Sequence, residues 1–291
     1  MVINSSVTRT AQSVYYYAVI KTRHTSVIQQ KLADAAFGSQ PGYWPLPTAR
    51  TPDELWLRAV ASGGQGRYGS AYCDLAALRR WTPRGRLVSL AHSTQGSFLR
   101  QLGWHAVARG WDGRALALAG ADPEARADAL IGLAADALGV GRFAAAATLL
   151  ARVDPLLAPG LAVPDRLSVR RRWVAAELAM ARGQGDIAVG HATDAVELAG
   201  AMAVASARHR AKSEVVLAAA LCSAGVTERA RAVAEAALDT TGRLGLIPLR
   251  WALSCLLIDI GSVTFSAQQL YEIRDVCAGQ VRRAGATWRS A

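Results

Sequence analysis

Apolar residues recur along this chain at the three-and-four spacing of amphipathic helices, in segments that come in pairs joined by short, glycine-bearing turns. The pattern predicts helices over 52–64 and 68–80, 85–101 and 105–119, 123–139 and 143–153, 165–183 and 186–200, and 207–223 and 227–243. A sixth pair, 247–260 with 266–285, continues without the glycine signature of the others. Its Trp251, Leu253, Leu256, Leu257 and Ile260 are more apolar than a solvated end requires, so 266–285 is expected to cover them. Pro83, Pro123, Pro155, Pro159, Pro164 and Pro248 all fall at turns or helix starts, where a missing N–H costs little.

The joint inside each pair repeats. Gly66, Gly103, Gly141, Gly183 and Gly225 lie 37, 38, 42 and 42 residues apart, a near-period of helical-hairpin repeats. Each glycine is expected to end the first helix in the left-handed conformation. Two residues on, Tyr68 and Phe143 can wedge a ring between the two helices. Ala71, Ala108, Ala146, Ala188 and Ala230 then allow close helix approach. One hairpin cannot bury both its faces, so the pairs are expected to stack. Upstream, residues 10–37 read as a helix, and the three prolines of 38–51 (GSQPGYWPLPTART) cannot share one. Residues 1–51 are therefore expected to form a helical extension and linker outside an array spanning 52–291.

Glycine, aromatic two on, small residue three further, then core positions at four and three: this spacing resembles the tetratricopeptide repeat. The match is closest from Leu133-Ala134 to Val153 and from Leu217-Ala218 to Leu238, while His105, Gly185 and Thr227 replace the aromatic elsewhere. The resemblance implies an all-α fold, a right-handed superhelix of about five to six hairpins. It also implies a concave groove lined by the first helix of each pair. Carried over residue by residue, the groove holds Trp56 and Val60, then Ser93, Ser97, Arg100 and Gln101. Ile131, Ala135 and Leu138 follow, then Arg170, Trp173 and Glu177, and finally Lys212 and Val215. Among these, Trp56, Ser97, Arg100, Gln101, Arg170, Trp173, Glu177 and Lys212 are the expected partner-binding residues, although tryptophans so spaced more often pack and lone cations are more often solvated. The family's carboxylate clamp for chaperone tails is not visible, since Leu90 and Thr94 occupy the positions where it needs a cation and an amide.

Charge narrows the partner. The chain of 291 residues carries +11, and all its cations but Lys21, Lys31 and Lys212 are arginine. Arginine forks match carboxylates and phosphates, which suits an acidic partner segment, though an arginine-rich, lysine-poor composition also follows from a bacterial genome of high GC content. Direct nucleic-acid binding is not expected: Arg170, Arg171 and Arg172 are consecutive and turn by about 100° each around a helix, so they form no stripe. Residues 11–20 make a poor signal peptide, and no apolar run is long enough to span a bilayer. Cys73, Cys222, Cys255 and Cys277 show no metal spacing. A soluble cytoplasmic protein with reduced thiols is expected.

Candidates for chemistry are few. His92, His105 and Asp112 share one hairpin, with Ser93 beside them, but nothing in their spacing forces them into a metal or acid–base group. Gly63-Gly64-Gln65-Gly66 is glycine-rich yet joins two helices with no preceding strand, unlike a phosphate loop. Paired carboxylates in the helix cores are not expected. The chain thus reads as a non-enzymatic protein–protein interaction scaffold or adaptor, with no cofactor, no metal and no catalytic residues. The alternative is a regulatory protein whose repeats sense a peptide or control a transcription factor.

Overall fold

The structure is a computed structural model that describes residues 26–289. These form thirteen helices, with no strand among them. Helix α1 (Val27–Phe37) precedes six antiparallel pairs: α2 (Pro52–Gly64) with α3 (Tyr68–Trp81), α4 (Arg86–Gln101) with α5 (His105–Leu118), and α6 (Pro123–Gly139) with α7 (Phe143–Val153). Next come α8 (Arg166–Ala181) with α9 (Gly185–Ala201), α10 (Ala207–Ser223) with α11 (Thr227–Arg243), and α12 (Ile247–Ile260) with α13 (Ala267–Arg283). Consecutive helices pack on each other, and the first helix of each pair also touches the first helix of the next. This is an α-solenoid.

Local chemistry explains the starts and stops. Ser26, Thr51 and Asp122 accept from the backbone N–H three residues on, and Ser266 with Gln269 forms a reciprocal capping box on α13. The hairpin glycines end their helices at positive φ, as with +77° at Gly66 and +70° at Gly183. The sixth pair obeys the same rule: Gly261, 36 residues after Gly225, has φ +78°. Its signature escapes a sequence reading because the joint Gly261-Ser262-Val263-Thr264 is polar and longer than the other turns. Ala71, Ala108, Ala146, Ala188 and Ala230 are all fully buried, as is Tyr68, so the small-residue contacts and the first aromatic wedge are real packing positions.

The two ends of the array meet. Val281 of α13 and Ala286 beyond it belong to the same apolar cluster as Tyr68, Phe98 and Leu102 of the first two pairs. Gly69 N–H donates to Ala284 O at 2.7 Å and Arg289 N–H to Leu102 O at 2.9 Å. The Trp104 indole donates to Thr287 O at 2.8 Å, and Trp288 stacks on Trp251 with centroids 4.2 Å apart. The described part of the extension, 26–51, lies against the same seam instead of projecting from it. Ala207 N–H donates to Gly38 O at 3.0 Å, Gln65 Nε2 donates to the carbonyls of Pro41 and Tyr43, and Arg67 covers the Trp44 ring at 3.7 Å. The solenoid is thereby drawn into a closed ring, with its first helices facing inward.

Candidate functional site

Closure turns the concave face into a central cavity of about 320 Å³. Residues of α2, α4, α6, α8, α10 and α12 line it, and Phe37 from the end of α1 reaches it too. Trp56, Ser97, Arg100, Gln101, Arg170, Trp173, Glu177 and Lys212, chosen on sequence as a groove, all line this one space, as do Val60, Ser93, Ile131, Ala135 and Leu138. Val215 does not. It is buried in the apolar cluster of α10 to α13.

The aromatic lining is fixed in place. Trp56 Nε1 donates to Thr94 Oγ1 at 3.1 Å and Trp173 Nε1 to Ser213 Oγ at 2.8 Å, which satisfies each indole as its ring is removed from water. Phe37 stands 5.4 Å from Trp56 and 6.2 Å from His209, and His209 stacks on Trp173 at 5.5 Å. Burial, reinforced by Arg208, Arg166 and Arg170, holds His209 well below the usual histidine range, so it packs as a neutral ring; its Nδ1 lies 2.8 Å from Ser206 Oγ.

Most cations of the wall are paired with carboxylates instead of standing alone on a groove. Arg100 Nη1 donates to Asp136 Oδ1 at 2.9 Å and also to Asp112. Both carboxylates are fully buried. They outweigh the burial that opposes the charge and hold Arg100 above the ordinary arginine range. Burial in turn pushes Asp112 up to about 7 against the pull of Arg100, and raises Asp136 too. Ser93 Oγ donates to Asp112 at 3.0 Å. Arg166 is held by Glu124, which also accepts from Arg86 at 2.6 Å, and Arg170 is held by Asp128. Lys212 reaches Glu177 at 3.5 Å and lies 6.0 Å over Trp173. Arg170 falls to about 10, chiefly through burial, with Arg100 and Arg208 adding repulsion.

These carboxylates correct the expectation that helix cores hold none. Glu124, Asp128 and Asp136 lie on α6 at spacings of four and eight, so they share one side of that helix, and all three are buried. The signal present in the sequence was the pair of mid-helix glycines, Gly96 and Gly132. A Cβ at either would run into the Asp112 carboxylate, and mid-helix glycine is otherwise disfavoured by about 1 kcal/mol. Arg208 was missed as well, because nothing in the consecutive residues Arg208, His209 and Arg210 tells which of them turns inward. In the fold, Arg208 and His209 face the cavity and Arg210 is exposed.

The histidine group weighed for chemistry is scattered. His92 packs at a tilt against Trp111 with centroids 5.2 Å apart, and its pKa falls to about 4 through burial and then Arg79 and Arg114. His105 packs against Gly139, and Asp112 is bound to Arg100 and Ser93. Among the described residues, no three His, Cys, Asp or Glu side chains are placed to hold a metal ion, and no helix is long and apolar enough to cross a membrane. Arg170, Arg171 and Arg172 diverge, to Asp128, Asp154 and Asp194 respectively. No protein-family model matches the chain, and no curated protein is significantly similar to it.

Proposed function

We propose that the chain is a non-enzymatic, tetratricopeptide-like adaptor of the cytoplasm that takes a peptide segment or helix of a partner protein into its central cavity. One observation carries this reading: groove residues picked from five separate repeats converge on a single space with anchored indoles and a cationic wall. Anchored aromatics give contact area at low entropic cost, and an arginine fork matches a carboxylate.

A second reading, a regulatory protein that senses a peptide, draws on the seam. Phe98 and Leu249 line the cavity from opposite sides of the closure, so a ligand there would touch both ends of the array at once. Short random peptides selected on the full chain test the shared core of both readings. Selected ligands are expected to lose roughly tenfold or more in affinity, about 1.4 kcal/mol or more, in Trp173→Ala and in Ala135→Trp, which places an indole in the cavity. Ligands that survive both changes would move the binding face elsewhere.

A further inference from the structure

The cations facing the cavity have carboxylate partners with one exception. Arg100, Arg166, Arg170 and Lys212 are held by Asp136 and Asp112, Glu124, Asp128 and Glu177 respectively. Arg208 has no carboxylate partner among the described residues. Its side chain leaves α10 and crosses the end of α2. There it runs past Gly64, where a Cβ would make only ordinary van der Waals contact with it at 3.5 Å, and Nη1 donates to Val60 O at 3.2 Å. A guanidinium has five N–H donors in a fixed fork. Most of the Arg208 fork is therefore unspent in a partly buried place, where burial also lowers its pKa.

A second donor lines the same space. The buried Tyr68 hydroxyl donates to Gln101 Oε1 at 2.9 Å, which commits the amide oxygen and leaves Nε2 as the free end. Its one bond there is a long one to Ser97 Oγ, 3.4 Å. Around these donors the wall is apolar: Val60, Phe98, Ile131, Leu138 and Leu249.

We propose that the cavity is a carboxylate site, in which Arg208 and the Gln101 amide hold a singly charged head group and the apolar wall takes the body attached to it. This rests on the cavity being the binding face and names its ligand class. Charge matching selects carboxylate over phosphate: one uncompensated cation balances one negative charge, whereas a phosphate monoester carries about −1.5 to −2 at neutral pH. The second charge would have to draw Arg170 away from Asp128, leaving that buried carboxylate with only the more distant Arg166, 3.7 Å away. The volume, at the low end for small-ligand pockets, suits a head group with a short apolar body. The last residue of a peptide and a free monocarboxylic acid share this chemistry.

Calorimetric titration of the full chain separates them, with three probes: a short peptide ending in leucine with a free carboxylate, the same peptide amidated, and phenylpropionate. Binding of the free-acid peptide is expected to exceed that of the amide by tenfold or more, with the preference lost in Arg208→Gln and partly kept in Arg208→Lys. Phenylpropionate alone, lost in Arg208→Gln, would sustain the carboxylate site and sink the peptide reading. Equal binding of acid and amide, still abolished by Ala135→Trp, would overturn the carboxylate site and leave the peptide reading standing. Failure of all three probes at millimolar concentration would overturn the site. Should Arg208→Gln fail to fold, the acid and amide comparison on the unaltered chain still decides.

Discussion

Arg100 shows how this protein keeps charge inside. Its guanidinium sits between Asp112 and Asp136, so at full ionisation the trio would hold one negative charge too many in a buried place. Retaining a proton on the carboxylate pair removes the excess, which is the sense of the raised pKa of both acids. The consequence for stability has a definite sign. An acid whose folded pKa, about 7 at Asp112, lies above its unfolded value near 3.9 binds more protons folded than unfolded between those limits. Its contribution therefore grows as pH falls from about 7 to about 4 and is gone above 7. Asp112→Asn removes that proton, so the stability of the unaltered chain relative to the variant is expected to rise by about 2 kcal/mol between pH 7.5 and pH 5. Paired urea titrations at the two pH values measure it, and a constant difference would mean that both carboxylates are ionised. Sequence could not reveal this trio. Arg100, Asp112 and Asp136 belong to three different helices, and only Gly96 and Gly132 hinted that something needed room between them.

At the scale of helices, most of the architecture was legible because one local rule repeats: a left-handed glycine, then a small-residue contact. Where the rule met only its own hairpin, prediction and structure agree. Gly183 has φ +70° with nothing within 4 Å of a Cβ built there. Gly66 serves a second purpose that no local pattern encodes. A Cβ there would lie 3.1 Å from Val281 Cγ2 and 3.5 Å from Ile247, groups that arrive from the far end of the chain. The two glycines thus separate backbone strain from crowding at the seam. Gly183→Ala is expected to cost about 1–2 kcal/mol, the left-handed penalty alone. Gly66→Ala should cost about 1 kcal/mol more, through displacement of Val281 from its fully buried position. Chemical denaturation of both variants checks the ordering, and equal costs would show that the seam yields freely. The same reasoning explains why 38–51 looked like a loose linker on sequence. Its prolines forbid a helix, but the carbonyls they leave unpaired are what Gln65 and Arg58 bind.

For the whole molecule, closure changes how stability is distributed. In an open solenoid each repeat touches only its neighbours, and the terminal repeats fray because one side of each has no partner. Here the last pair has partners on both sides, since the segment 284–289 joins it to the first two pairs through backbone hydrogen bonds, the Trp251–Trp288 stack and a common apolar cluster. These contacts link residues nearly the whole chain apart, so they form late and at an entropic cost that grows only slowly with loop length. Once made, they tie the opening of either end to the opening of the other. Removal of residues 284–291 is expected to restore the behaviour of an open array while leaving the helices intact. Amide hydrogens of α13, and the Gly69 amide that Ala284 O accepts from, should then exchange at least tenfold faster, whereas those of α6 and α8, midway round the ring, should change little. The cavity should widen at the same time, because Leu249 and Phe98 would no longer be held across it by the seam. Exchange measured by mass spectrometry decides between the two descriptions: uniform acceleration across all thirteen helices would mean that the ring unfolds as one unit, and no acceleration at α13 would mean that the seam contributes nothing.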